Sequence, residues 1–198
     1  MENGKQTVRG GKKVKIAVIG YSGSGKSTLA KQLAGWVDCE PLYLDTVNFL
    51  PDWVERDRDS AKEIVRQTME QDDWVIDGNY QSLLREERLR IADEIVFLNY
   101  PRLLCLHRAL KRYRAFRGGT RESAADGCIE RMNAEFVWWI LCQGRTRARV
   151  RGYKAIVSQY PEKTVVIRND RELSAYLKNK GIIPTRELSA YLRLKGIE

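Results

Sequence analysis

The sequence predicts an α/β fold, a five-stranded parallel sheet flanked by helices, and three observations carry that expectation. The first is Gly20-Tyr21-Ser22-Gly23-Ser24-Gly25-Lys26-Ser27-Thr28, which fits the phosphate-binding loop pattern G-x-x-x-x-G-K-[ST]. The second is its setting. Val14-Lys15-Ile16-Ala17-Val18-Ile19 reads as a buried strand before the loop, and Leu29-Ala30-Lys31-Gln32-Leu33-Ala34 as a helix after it. The third is the alternation downstream, where short apolar runs near 41–44, 74–76, 94–98 and 164–167 are separated by helix-length stretches.

Composition agrees with a single compact domain. The chain has 198 residues, 43% of them apolar, enough for a sizeable core. No segment approaches 18 uninterrupted apolar residues, so no membrane span is expected. Residues 1–13 are polar and glycine-rich and read as a flexible tail without a signal peptide's apolar run, which makes a cytoplasmic location the default expectation. Cys39, Cys105, Cys128 and Cys142 are scattered, with no C-x-x-C pair, and are expected as reduced thiols, several of them buried. That spacing argues against a structural zinc site, and the single histidine, His107, nearly excludes His-based triads and zinc clusters.

Taken in order, strand one spans about 14–19 and the first helix runs from Lys26 or Ser27 to Gly35 or Trp36. In the loop between them the glycines let the backbone turn its N–H groups inward, and the helix N-terminus adds positive potential. Gly20, Ser22, Gly23, Ser24, Gly25, Lys26, Ser27 and Thr28 are therefore the candidate nucleotide contacts. Lys26 would reach the β- and γ-phosphates and Ser27 would ligate Mg²⁺. Pro41-Leu42-Tyr43-Leu44 is a short strand ending at Asp45, where an acceptor or the metal shell would lie beyond the strand's carboxyl end, unless Asp45 is an ordinary turn residue or helix cap. Thr46, Asn48 and Phe49 could line the same cleft, and Pro51-Asp52-Trp53 reads as a turn.

Asp59 to Gln71 reads as a helix with Ala61, Ile64, Val65 and Thr68 or Met69 inward. The strand Trp74-Val75-Ile76 runs into Asp77-Gly78-Asn79-Tyr80, where Asp77 could hold the magnesium water or orient the transferred group, and Asn79 and Tyr80 would face the cleft. Gln81–Arg90 reads as a helix on which Arg85 and Arg88 either meet a substrate phosphate or line a solvated face. After the strand at 94–98, Pro101 opens a basic helix. Arg117-Gly118-Gly119-Thr120-Arg121 suggests a mobile element, followed by a long helix from Ile129 to Gln143. On a continuing helix Arg145 and Arg149 would share one face and Arg147 and Arg151 another, with one pair pointing to the cleft. The last strand, 164–167, exits at Arg168-Asn169, near a nucleotide base, with Asp170 as the expected N-cap of the closing helix.

Arg171-Glu172-Leu173-Ser174-Ala175-Tyr176-Leu177 recurs fifteen residues later as Arg186-Glu187-Leu188-Ser189-Ala190-Tyr191-Leu192, and Lys180-Gly181-Ile182 recurs as Lys195-Gly196-Ile197. This is a tandem duplication of the last helix, too short for a solenoid.

The net charge of +9 is uneven. Seven Lys or Arg residues and no acids lie between Arg102 and Arg121, and five more between Arg145 and Lys154. Such charge suits a phosphate-rich substrate or nucleic acid.

With these residues in view, the chain over about 14–177 resembles the small P-loop kinases related to adenylate kinase, and more closely the DNA topology modulation kinases. The specific matches are the phosphate loop, Leu44-Asp45, Trp74-Val75-Ile76-Asp77-Gly78-Asn79-Tyr80, Arg117-x-x-x-Arg121 with Gly127-Cys128, and Glu135-Phe136 before Trp138-Trp139. The resemblance implies a P-loop NTPase fold of nucleotide-kinase type with spatial strand order 2-3-1-4-5. It implies a domain over 14–180 with a short lid at about 117–128, followed by the duplicated helix at 181–198. Arg117 and Arg121 match the family's lid arginines, and Arg147 or Arg149 the helical ones. Lys26, Asp45, Asp77, Arg117, Arg121, Arg147 and Arg149 are thus the candidate catalytic set. Ser27 and Asp77 are the metal candidates, and Arg168 and Asn169 join the loop in binding nucleotide. The expected function is phosphoryl transfer from ATP, with Mg²⁺, to a small-molecule acceptor such as a nucleotide or nucleoside, by a monomer or homodimer. A nucleic-acid-associated ATPase and a nucleotide-binding regulator without turnover are the alternatives, and nucleic acid is the less favoured partner because the basic clusters flank the nucleotide cleft.

Overall fold

The computed structural model describes residues 13–115, 123 and 132–182. Five strands form one parallel sheet: β1 (Lys15–Gly20), β2 (Pro41–Tyr43), β3 (Trp74–Asp77), β4 (Glu94–Leu98) and β5 (Thr164–Ile167). Their spatial order is β2-β3-β1-β4-β5, as expected. All five segments fall within a residue or two of the expected ones, because each is a short, largely apolar run, and the three central strands β3, β1 and β4 are almost wholly buried. Ile16, Ala17 and Val18 of β1 have no exposure at all.

Eight helices flank the sheet among the described residues: α1 (Lys26–Val37), α2 (Leu44–Asn48), α3 (Arg58–Glu70), α4 (Arg85–Ile91), α5 (Arg102–Ala115), α6 (Ala134–Leu141), α7 (Arg147–Gln159) and α8 (Asp170–Asn179). α1 buries Leu29, Ala30, Leu33 and Ala34. α3 is capped by Asp57, which accepts the Ser60 N–H at 2.9 Å, and turns Ala61, Val65 and Met69 inward at four-residue spacing.

The structure corrects several boundaries. β2 ends at Tyr43, so Asp45 stands in the first turn of the short α2 rather than at a strand end. α4 begins only at Arg85, because Leu84 adopts a left-handed conformation with φ 54°. α6 begins at Ala134, where Asn133 caps it by accepting the Phe136 N–H, so the described part of the expected Ile129–Gln143 helix is shorter at both ends. Gln143–Arg145 is a separate 3₁₀ turn, which takes Arg145 off the face it was expected to share with Arg149. The cap of α8 is Asn169, which accepts the Glu172 N–H, and not Asp170.

The lid at 117–128, apart from Ser123, and the second helix copy at 186–197 lie outside the described residues. So does Cys128. Cys39, Cys105 and Cys142 are free thiols, with Cys105 buried.

Candidate phosphoryl-transfer site

The register brings the site together at the carboxyl ends of the strands. Val18 of β1 pairs with Asp77 of β3, and Gly20 with Leu98 of β4. The chain leaves β1 at Gly20, where φ is 150° and an added Cβ would lie 2.6 Å from the Leu98 carbonyl oxygen. It then wraps through Gly23 (φ 77°) and Gly25 (φ 96°) into α1. At Gly23 a Cβ would lie 2.3 Å from the Cys105 carbonyl oxygen, so the loop is seated against α5.

Within the loop, Lys26 donates its ammonium to the Tyr21 carbonyl at 3.2 Å. Ser27 donates its hydroxyl to Asp77 Oδ2 at 2.7 Å, joining the first turn of α1 to the end of β3. Asp77 is 6% exposed. A hydroxyl and a carboxylate in contact below a helix N-terminus are hard oxygen donors of the type Mg²⁺ takes, so these residues fit that ion. Among the described residues no cluster of three His, Cys, Asp or Glu side chains offers an alternative metal site. Thr28 follows, exposed, on the same turn.

Asn79 works on the loop's first residue. Its side chain accepts the Gly20 N–H at 3.0 Å and donates to the Gly20 carbonyl at 2.6 Å, which fixes the start of the loop on β3. Tyr80 turns the other way and donates to Asp45 Oδ1 at 2.9 Å. Burial, then the adjacent Asp45 carboxylate, pushes the Tyr80 hydroxyl far above its ordinary pKa, so it stays a donor. Beside this pair Phe49 and Trp53 meet edge to face at 5.3 Å across a tight turn, in which Asp52 and Trp53 are both left-handed, with φ 62° and 63°. Asp45, Asp77 and the loop thus lie together beyond the carboxyl ends of β2, β3 and β1.

The far side of the loop is held by side chains of α5, α6, the Gln143–Arg145 turn and α7. Arg108 of α5 donates to the Ser24 carbonyl at 2.7 Å, pairs with Asp170, and lies 4.1 Å above the Tyr100 ring. Arg145 stacks 3.7 Å above the Tyr21 ring and donates to the Tyr100 carbonyl at 2.6 Å. Trp139 donates its indole N–H to the Ser22 hydroxyl at 3.0 Å, and the Arg149 guanidinium lies 4.5 Å above the indole. Arg147 is exposed at the start of α7. Arg168 pairs with Glu172 at 3.7 Å, and Asn169 both caps α8 and donates to Glu172. Arg117 and Arg121 lie outside the described residues.

Arg88 belongs to neither of its expected settings. It is fully buried and donates to the carbonyls of Leu83 at 2.9 Å, Tyr80 at 3.0 Å and Gly78 at 3.4 Å. It is the internal clamp of the loop that carries Asn79 and Tyr80. Burial brings its pKa down to about 10, which leaves it charged at neutral pH. A separate cavity of about 300 Å³ lies at the opposite ends of the strands, bordered by Val14, Glu94, Thr164 and Lys180.

No protein-family model matches the chain, and no curated protein matches it in sequence. Solved structures do match its fold. A shikimate kinase from Acinetobacter baumannii, complexed with shikimate, superposes with a TM-score of 0.52 at 16% identity, covering 88% of this chain and 94% of that one. A sugar kinase from a Janibacter species gives 0.47 at 14% identity over 87% and 96% of the two chains. A Thermus thermophilus protein, TT1252, gives 0.45 at 16% identity over 85% and 98%. The strand order β2-β3-β1-β4-β5 and the superposition on the shikimate kinase give the chain a P-loop kinase-like fold. Among the described residues no helix is long and apolar enough to cross a membrane.

Proposed function

We propose that the protein transfers the γ-phosphoryl group of Mg·ATP to a small-molecule acceptor, a nucleotide or nucleoside being the class its family resemblance implies. The observation that carries this reading is the Ser27–Asp77 contact at the foot of the phosphate loop, together with the Asp45–Tyr80 pair. The motif resemblance to the DNA topology modulation kinases supports the finer assignment; that label describes an effect and not a chemistry. The expected setting is the cytoplasm, as a monomer or homodimer.

Backbone N–H groups of residues 22–28 and the N-terminus of α1 bind the phosphates. Lys26 leaves the Tyr21 carbonyl for the β- and γ-phosphates. Ser27 and Asp77 would hold Mg²⁺, which would supply neutralisation of the phosphate charge. Asp45 takes the acceptor hydroxyl, with Tyr80 fixing its carboxylate. As the acceptor oxygen bonds to phosphorus, the bond to the β-phosphate oxygen breaks, and the hydroxyl proton passes to Asp45 or to water. With a phosphate as acceptor no base is needed, and Asp45 positions it. Arg117, Arg121 and Arg147 or Arg149 stabilise charge on the group in flight, and closure over them excludes water. Arg168 and Asn169 lie on the base side.

The test is incubation of the purified protein with Mg·ATP and a metabolite pool. Acceptor-dependent ADP release is the expected outcome. Release stimulated only by DNA or RNA would support the ATPase instead, and binding without turnover the regulator.

A further inference from the structure

The berth of α8 is built from a short list of contacts. Leu173, Tyr176 and Leu177 are buried on one face, and Ile182 is buried just beyond the helix. The helix ends in a Schellman motif: Gly181 is left-handed with φ 68°, its N–H reaches the Lys178 carbonyl at 3.0 Å, and the Ile182 N–H reaches the Leu177 carbonyl at 2.9 Å. Lys180 pairs with Glu94 at 2.7 Å and lies over the Trp36 ring.

The second copy carries each of these in sequence, as Leu188, Tyr191, Leu192, Lys195, Gly196 and Ile197. Ten of the twelve residues from Arg171 to Ile182 recur; only Lys178 and Asn179 become Arg193 and Leu194. The differences that matter lie at the start. Asn169, the cap, is replaced by Pro184, and Asp170, the partner of Arg108, by Thr185. The first copy therefore holds two contacts that the second cannot make, and its connection to β5 is shorter. The longer loop required by the second copy carries an entropic cost that grows only logarithmically with length.

We infer that the segment from Thr185 to Ile197 can replace α8 in the same berth of the same chain, so that the C-terminal helix has two interchangeable occupants. The exchange would remove the Asp170 carboxylate from Arg108, and Arg108 grips Ser24 of the phosphate loop. Occupancy of the berth is thereby coupled to that loop. The inference stands on packing and sequence, independently of the catalytic reading.

The test is a cycle of full-length variants followed by thermal unfolding. Leu173→Asp with Leu177→Asp spoils only the first copy, Leu188→Asp with Leu192→Asp only the second, and a third variant combines all four. The second-copy variant should melt as the parent does. The first-copy variant should keep a cooperative transition that is independent of protein concentration. The combined variant should melt about 10 °C or more below it, since charges at buried leucines then have no substitute. Equal melting of the first-copy and combined variants, additive effects of the two pairs, or rescue that appears only at high protein concentration would each overturn the intrachain exchange.

Discussion

Arg88 shows how far a single residue's role can lie from its sequence pattern. Spaced three from Arg85 on a charged helix, it reads as a surface or phosphate-binding arginine. Its burial depends on Leu84, whose left-handed turn delays α4 and aims residue 88 beneath the strand-end loop. Replacement by Met keeps the volume but leaves three carbonyls without their donor. A loss of about 3 kcal/mol or more is expected in urea unfolding. The pH dependence has a definite sign. Burial holds the folded-state pKa at about 10, below the ordinary arginine value, so above that pH the unfolded chain binds more protons and this group's contribution to stability rises with pH. At the cleft, Lys26→Ala should lower kcat by about 10²–10³ in a folded protein, the usual loss for a preorganised charge donor. Asp45→Asn should instead raise the acceptor KM by about tenfold or more with ATP affinity little changed, which initial-rate kinetics would separate.

Elements differed in legibility for physical reasons. The strands could be read because a buried strand must be apolar along its whole length, and the loop motif could be read because its backbone requires glycine at fixed places. Helix starts were harder, since several candidate caps stand side by side. Asp170 follows Asn169, and only the packing of α5 decides that the aspartate faces Arg108 while the asparagine caps. Likewise Arg145 could not be placed, because the break at Gln143–Arg145 turns it onto the Tyr21 ring and off the helix that follows. Asn79 was expected in the cleft, whereas both hydrogen-bonding ends of its amide are used on Gly20. The seating of the loop on α5 makes a further prediction. Gly23→Ala would drive a Cβ to 2.3 Å from the Cys105 carbonyl in a left-handed conformation that alanine disfavours. A cost of about 1–3 kcal/mol is expected. The variant should also gain less thermal stabilisation from Mg·ATP than the parent does, because the loop must shift away from the Ser24–Arg108 contact.

On the scale of the whole molecule, the excess of 35 basic over 26 acidic residues is concentrated in two stretches of the chain, Arg102–Arg121 and Arg145–Lys154. Part of it is already engaged. Arg108 and Arg145 are spent on Asp170 and on the rings of Tyr100 and Tyr21, where they brace the phosphate loop. Bracing arginines are poor candidates for a nucleic-acid surface, since they cannot reach phosphates without releasing the loop. Arg117 and Arg121 differ in their sequence setting. No acid lies between Arg102 and Arg121 to neutralise them, and a double glycine separates them. Without phosphates they would repel one another and their basic neighbours; with phosphates bound that repulsion is offset. Contacts of this kind strengthen as charge spreads over the transferred group, so they act on the transition state more than on the ground state. Arg117→Ala and Arg121→Ala should therefore each lower kcat by an amount equivalent to about 2–4 kcal/mol while weakening ATP binding much less. Paired kinetic and nucleotide-binding titrations would check it. Variants that keep full kcat and lose only affinity for DNA, with that affinity falling steeply as salt rises, would mark the basic stretch as a nucleic-acid surface and remove these two arginines from phosphoryl transfer.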